Sequence, residues 1–473
     1  MLGLPLLILV SWIPGRLALG FAASREQESG LLEFLFQSTA LGVMIIGLWG
    51  TFVACIGRFT YAWVLAGIAA ISFLLLALKR TSLSALLRFP RVEPWHGIAL
   101  ASLVGMVLLF APPHENFVVG RDPGVYTNTA VHLARTGRWV IQDPFFDALP
   151  PSTQNSFLSY VWQQGPFRLP GFFWLPDRGI AVSQFLPFFA VWMALLEWVL
   201  GDGGAIWATM LFAVTGAAGL VALARRWWGP RAALMLLPLL VSNPAALWYA
   251  RSANSEVALQ MLLVLMIFLW MGRFHYGCWS GPLLMVCTMV AAMLTKLDAF
   301  YLVPVLIFLF GCSWLAQPDR RWFARVAALT PVGFGALAVY VWRFGWPYFR
   351  MSLQLQAGEP YLWIALALLG LTAAALCVVL CFRQPREAVS SMVQKWGLMF
   401  SGLTDRQFSV AAVVVAAVLI ISYLVLPATV PTGILADRRF SLRRVGWYVT
   451  PAGLALSAFG ALMAHAGHHV TLL

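Results

Sequence analysis

The sequence predicts an all-α, polytopic membrane protein, and three observations lead there. Hydrophobic residues make up 61% of the chain and charged residues 10%. A soluble domain carries about 25% charge, so too few polar side chains exist here to cover a water-facing surface. The apolar residues also come in blocks of about 20, the length that crosses a bilayer as helix. No alternating pattern of about ten residues is visible, which argues against a transmembrane β-barrel. The 22 Trp suit an aromatic belt at the membrane–water boundary.

Taken in chain order, about thirteen blocks have spanning length. They lie near residues 2–22, 35–57, 59–78, 97–113, 204–224, 231–249, 257–272, 281–295, 299–316, 326–342, 361–382, 408–427 and 447–467. The first lacks a basic start, and Pro14-Gly15-Arg16 is a poor cleavage site, so it reads as a helix rather than a signal peptide. The longest connection is 114–203, expected to form short juxtamembrane helices around a Pro-, Gln- and Ser-rich centre, with no buried core of its own. Its last part, 183–200, is apolar enough to span. A crossing there would invert every later loop, so it is read as a helix lying along the membrane surface. No internal repeat of the kind common in transporters is visible.

The net charge of +13 does not imply a nucleic-acid partner, because the Lys and Arg residues fall in short groups between apolar blocks. They read as loop charges facing anionic lipid heads. Lys79, Arg80, Arg88 and Arg91 form one group; Arg225, Arg226 and Arg231 a second; Arg320, Arg321 and Arg325 a third; Arg383, Arg386, Lys395 and Arg406 a fourth. The span count puts all of them on one face, assigned as cytoplasmic by the positive-inside rule. The loop 428–446, with Arg438, Arg439, Arg443 and Arg444, falls on the opposite, outer face against that rule; the alternative is that it is cytoplasmic. Cys55, Cys278, Cys287, Cys312, Cys377 and Cys381 show neither zinc spacing nor a disulfide framework.

The informative stretch is Gly120-Arg121-Asp122-Pro123-Gly124-Val125-Tyr126, continuing to Gly137-Arg138-Trp139. Asp followed by Pro starts a helix, because Asp caps free N–H groups and Pro suits the first helical position. Tyr126, Thr129, Ala130 and Leu133 recur at helical spacing, and Gly137 is a natural stop. On this reading alone, Asp122 is either a cap or a functional carboxylate.

The run Asp122-x-x-x-Tyr126, with Ala130, Leu133, Gly137 and Trp139, resembles the first outer loop of the GT-C glycosyltransferases. These polytopic enzymes use lipid-phosphate-linked sugars and include the protein O-mannosyltransferases and the lipid A aminoarabinose transferases. Pro187 and Trp192 resemble a second juxtamembrane helix, Ala224-Arg225-Arg226-Trp227-Trp228-Gly229 a cytoplasmic turn, and Asn243-Pro244 through Tyr249-Ala250-Arg251 to Glu256 the next outer loop. Leu294-Thr295-Lys296, with Pro304 beyond, resembles another outer turn. The likeness covers about residues 97–320 and rests on the order and spacing of weak motifs.

The resemblance implies a division into N-terminal membrane helices (1–96), a catalytic membrane module (97–342) and C-terminal helices carrying the basic loop (343–473). It implies a polyprenyl-phosphate sugar donor and a glycan, lipid or protein acceptor. The place implied is the outer, periplasmic face of a bacterial inner membrane. Asp122 is then the catalytic base and Glu256 the next candidate. Tyr126, Arg251, Lys296, Arg438, Arg439, Arg443 and Arg444 are the candidate substrate-binding residues, since cations stabilise the departing phosphate. Plainer readings stand beside these: Lys296 as a snorkelling anchor or partner of Asp298, and Arg251 with Glu256 as a mutual pair. Asp143, Asp147 and Asp177 read as solvating loop acids, and His465, His468 and His469 as a tail cluster rather than a metal site. No cofactor is indicated. Pro123 stands where some relatives carry a second acid, which weakens the case for a divalent cation. The competing class is a transporter or flippase of lipid-linked sugars that performs no chemistry.

Overall fold

The computed structural model of the protein describes residues 3–22, 30–79, 89–90, 92–111, 113, 122–160, 166–169, 171–272, 279–301 and 321–357. All of them belong to one compact unit, Met1–Phe310 with Pro318–Thr372. The predicted spans at 361–382, 408–427 and 447–467, and most of that at 299–316, lie outside the described residues, as do Arg438, Arg439, Arg443 and Arg444.

The apolar blocks that fall within the described residues fold as helices, as expected. α1 (Gly3–Ala22), α2 (Leu31–Cys55), α3 (Tyr61–Lys79) and α4 (Pro94–Phe110) come first. The long connection then supplies α5 (Asp122–Thr136), two short helices α6 (Pro144–Asp147) and α7 (Pro151–Ser156), four strands, and α8 (Pro187–Leu200). α9 (Ala208–Ser242), α10 (Pro244–Arg251), α11 (Glu256–Met271) and α12 (Ser280–Met293) follow. α13 (Arg321–Tyr340) passes through a π-helical turn (Val341–Gly345) into α14 (Trp346–Ala357). Among the described residues, four helical stretches are long and apolar enough to cross a membrane: Leu31–Cys55, Tyr61–Leu78, Gly204–Leu240 and Arg321–Ser352. A fifth is made by α10 and α11 if that pair, bent by 109°, is one span.

α9 is interrupted where the sequence placed a turn. Gly229 has φ 83° and ψ 177°, open only to glycine, and Pro230 follows without an N–H to continue the ladder. Just before this break, Arg225 and Arg226 meet acids from two other helices. The Arg226 Nη1 donates to Glu33 Oε1 (2.9 Å) at the start of α2. The Arg225 Nη2 donates to Glu93 Oε1 (2.5 Å) at the start of α4 and lies over the Trp95 ring. The starts of α2 and α4 and the middle of α9 therefore share one end of the bundle, called here the Arg225 end.

Two corrections concern the long connection. It contains a β-meander that the helical reading lacked, in the order β1 (Ser159–Tyr160), β2 (Pro166–Leu169), β3 (Phe172–Leu175), β4 (Ile180–Ser183), all antiparallel. Aromatic and β-branched residues favour strands, and Pro176-Asp177-Arg178-Gly179 turns the chain between β3 and β4, with Gly179 at φ +59°. The sheet has buried residues on both faces. Phe173 packs with Val182 against Phe344, Tyr348 and Met351, and Trp174 meets Phe146 edge-on at 4.6 Å. The expectation of no buried core in this connection was thus wrong.

The second correction is α8. With 14 residues it reaches about 21 Å, short of the ~30 Å hydrocarbon core. It is not a surface helix with one wet face either: Pro187 through Glu197 are all buried. It wedges beside the middle of α2, where the Trp192 Nε1 donates to the Val43 carbonyl (3.1 Å). Glycine makes the room. A Cβ at Gly47 would lie 2.4 Å from the Phe188 ring, and one at Gly50 2.6 Å from Val191 Cγ1. Small residues at helix contacts let side chains this large come close. Further along, Trp198 stacks on Phe59 in the α2–α3 turn (4.5 Å) and donates from Nε1 to Ala134 O of α5. α5 and α8 thus run side by side.

Candidate functional site

The site assembles around Tyr126, one turn into α5. Its ring stacks on Phe185 (4.7 Å, 17°) and meets Phe189 edge-on (5.2 Å), and Phe185 in turn meets Tyr348 of α14. The Tyr126 hydroxyl donates to Ser255 Oγ at 2.9 Å. Thr129, one turn on, donates to Ser183 Oγ (3.1 Å) at the end of β4. α5 is therefore pinned between the sheet, α8 and the bend that precedes α11.

Burial pushes the Tyr126 phenol well above its ordinary pKa. The neighbouring Tyr348 acts the same way, as do the carboxylates of Glu256 and Asp122, while the hydrogen bond with Ser255 opposes them. Tyr126 is consequently a neutral donor, suited to holding Ser255 rather than to accepting a proton. Both carboxylates lie within electrostatic reach of its hydroxyl.

Asp122 is exposed at the first residue of α5, with Pro123 next, as the start signal predicts. Glu256 is the first residue of α11. Its Oε1 accepts from Lys296 Nζ at 2.5 Å, and Lys296 lies 3.3 Å from Asp298 Oδ2. Lys296 is held in a tight turn at the end of α12, where the Leu294 carbonyl accepts from the Phe188 N–H at the start of α8. The structure thus sets Tyr126 on Ser255, next in the chain to Glu256, joins Glu256 to Lys296, and makes Asp298 a second partner of Lys296, while Asp122 acts on the Tyr126 hydroxyl through its charge. Arg251 ends α10, across the bend from Glu256; the cation paired with Glu256 here is Lys296.

Sequence reasoning missed Ser255, Phe185 and Tyr348. The available signal was Ser252-Ala253-Asn254-Ser255, a polar run between two apolar blocks. In the fold Ser252, Asn254 and Ser255 are buried at the bend, and the Ser252 Oγ has no hydrogen-bond partner.

Chemically, the arrangement offers an exposed carboxylate at the start of α5 and, at the start of α11, a half-buried lysine shared by two acids. Lys296 carries one positive charge against the two carboxylates of Glu256 and Asp298. An anionic ligand therefore needs further cations nearby. Among the described residues, no group of three or more His, Cys, Asp or Glu is placed to hold a metal ion. No family model, no curated protein and no solved structure matches the chain.

Proposed function

We propose that the protein transfers a sugar from a polyprenyl-phosphate donor to an acceptor hydroxyl, with Asp122 as general base. The reading rests on the sequence's resemblance to the GT-C glycosyltransferases. The observation that supports it most is that Tyr126 of α5 bonds Ser255, whose neighbour Glu256 holds Lys296 from the turn after α12, with the charge of Asp122 felt at the Tyr126 hydroxyl. In the proposed reaction Asp122 takes the acceptor proton, the acceptor oxygen bonds to the anomeric carbon, and the bond from that carbon to the phosphate oxygen breaks. Glu256, engaged by Lys296, is a positioning residue. The departing phosphate is stabilised by Arg251 and the arginines at 438, 439, 443 and 444, with Lys296 released from one of its acids. The reaction takes place on the outer face of a bacterial inner membrane, and the acceptor is a glycan, lipid or protein.

The decisive experiment is Asp122→Asn. Asn caps a helix about as well as Asp, so a capping role survives the change, whereas a base is lost at a cost of about 10²-fold or more in rate. Purified protein is incubated with a polyprenyl-phosphate sugar and acceptors, and released polyprenyl phosphate is measured. The expected result is loss of transfer with donor binding intact; equal rates in both proteins remove Asp122 as the base. A second reading, carriage of a lipid-linked sugar without chemistry, draws on the broken α10–α11 pair, since discontinuous helices line many transport sites. It predicts no release in the parent protein and uptake of the labelled lipid across a sealed membrane.

A further inference from the structure

A cavity that shares no lining residue with the Asp122 group opens where the end of α2 meets the residues after α5, the sheet and the π-helical turn. It has a volume of about 420 Å³ and is lined by Arg138, Trp139, Arg178, Ile180, Arg343 and Phe344, closed by the backbone of the α2–α3 turn. Three arginines from three separate segments face one cavity, and among the described residues no acidic side chain lines it. Asp147, whose carboxylate approaches Gly179, stays outside.

Among the described residues, no carboxylate forms an ion pair with any of the three cations. The Arg138 Nη1 donates to the Gln142 amide oxygen (2.7 Å), the Arg178 Nη1 donates to the backbone carbonyl of Arg343 (2.6 Å), and the Arg343 guanidinium lies 5.9 Å from the Phe344 ring centre. The accepting carbonyl belongs to the π-helical turn Val341–Gly345, so the Arg178 side chain ties the β3–β4 turn to it. Like charges gathered with neutral partners only are poised for an anion, and guanidinium groups match phosphate oxygens in a bidentate manner.

The level of the cavity identifies the kind of phosphate. Arg343 follows Arg321 by 22 residues (343 − 321) in one continuous helical stretch. That is about 33 Å, close to the ~30 Å hydrocarbon thickness, so Arg343 sits at a headgroup boundary. Trp342 and Trp346 beside it are 72% and 55% exposed, as in an interfacial aromatic belt. We infer that this pocket binds the phosphate of an anionic lipid headgroup, with the acyl chains against the exposed aromatic flank.

The test uses the full chain reconstituted with phosphatidylglycerol or phosphatidylcholine, with bound lipid counted by native mass spectrometry. The parent protein is expected to retain phosphatidylglycerol selectively. Arg138→Gln and Arg343→Gln are each expected to weaken retention about fivefold, and both together more, on the scale of one interfacial cation per step. Arg178→Gln also breaks the bond to the Arg343 carbonyl, so the other two variants decide. Unchanged retention in the Arg138→Gln/Arg343→Gln protein overturns the inference, as does equal retention of the two lipids. A third arm titrates inorganic phosphate. Protection by millimolar phosphate in a protein that holds no phosphatidylglycerol assigns the pocket to a soluble anion and overturns the lipid source.

Discussion

Lys296 joins Glu256 and Asp298, three residues whose convergence was partly readable from the chain. The span count put Lys296 and Glu256 on Asp122's face, and Asp298, two residues from Lys296, was always within reach. What the sequence did not disclose was which acid Lys296 would prefer, because that depends on the bend after Arg251. The pair is partly buried, so its coupling is measurable. A double-mutant cycle with Lys296→Met and Glu256→Gln is expected to give an interaction of roughly 1–3 kcal/mol in thermal unfolding; a value near zero makes the contact incidental. His132 offers a pH prediction on the same helix as Asp122. Burial lowers its pKa from the usual 6.5, and its Nε2 lies 3.1 Å from the Val140 carbonyl. A folded pKa below the unfolded one means the unfolded chain binds the proton first as the pH falls. Its contribution is therefore intact above 6.5 and is lost as the pH falls through that value towards the folded one. The thermal midpoint is expected to drop between pH 7.5 and 5.5, and to drop less in His132→Gln. An equal drop in both proteins places the dependence elsewhere.

At the scale of elements, the apolar blocks announced the helices well, because length and composition alone govern them. One start signal was equally plain, Asp122-Pro123 at α5; Asn243-Pro244 also opens a helix, α10, where the Asn243 Oδ1 accepts from the Ala245 and Ala246 N–H groups, but it lay inside the block read as a span over 231–249. The meander was hidden because its strands are short and β3 has neighbours on both faces, so Phe172-Phe173-Trp174-Leu175 shows no alternation of apolar and polar residues. The seating of α8 was hidden for another reason: the pocket that takes it is made by glycines some 140 residues earlier, at Gly47 and Gly50. That seating predicts a contrast. Gly47→Ala puts a methyl group into the Phe188 ring and is expected to cost about 1–3 kcal/mol. Gly97→Ala, with nothing within 4 Å of its new Cβ, is expected to be neutral or to stabilise by roughly 0.5 kcal/mol. Equal thermal shifts for the two variants contradict the wedge.

Across the whole molecule, two polar centres occupy opposite ends of the described bundle: Glu33, Glu93, Arg225 and Arg226 at one, Asp122, Glu256 and Lys296 at the other. Of the basic groups between spans, Arg225 and Arg226 do sit at one end of the bundle, whereas the number of crossings was not legible, since short blocks such as α8 have the composition of spans without their length. Trp228 and Trp342 are exposed near the opposite ends. Cysteines placed there, in a chain whose six native cysteines are replaced, are expected to react with an impermeant maleimide from opposite sides of sealed vesicles. Labelling of both from one side contradicts this arrangement.

The burial of α8 also constrains the order in which the protein is made. A 14-residue apolar segment emerges from the ribosome long before residue 294, whose carbonyl receives the Phe188 N–H at its N-terminal end. Until then Phe188 and Phe189, both fully buried in the finished fold, have α2, α5 and, once it is made, Phe212 of α9 as partners, and lack the contact with the turn after α12. The helix is too short to be held across the bilayer by itself, so its final seat waits for α12. The nascent chain must carry a greasy, unanchored segment through the synthesis of about a hundred further residues, which marks this interval as the one in which misassembly or proteolysis takes hold.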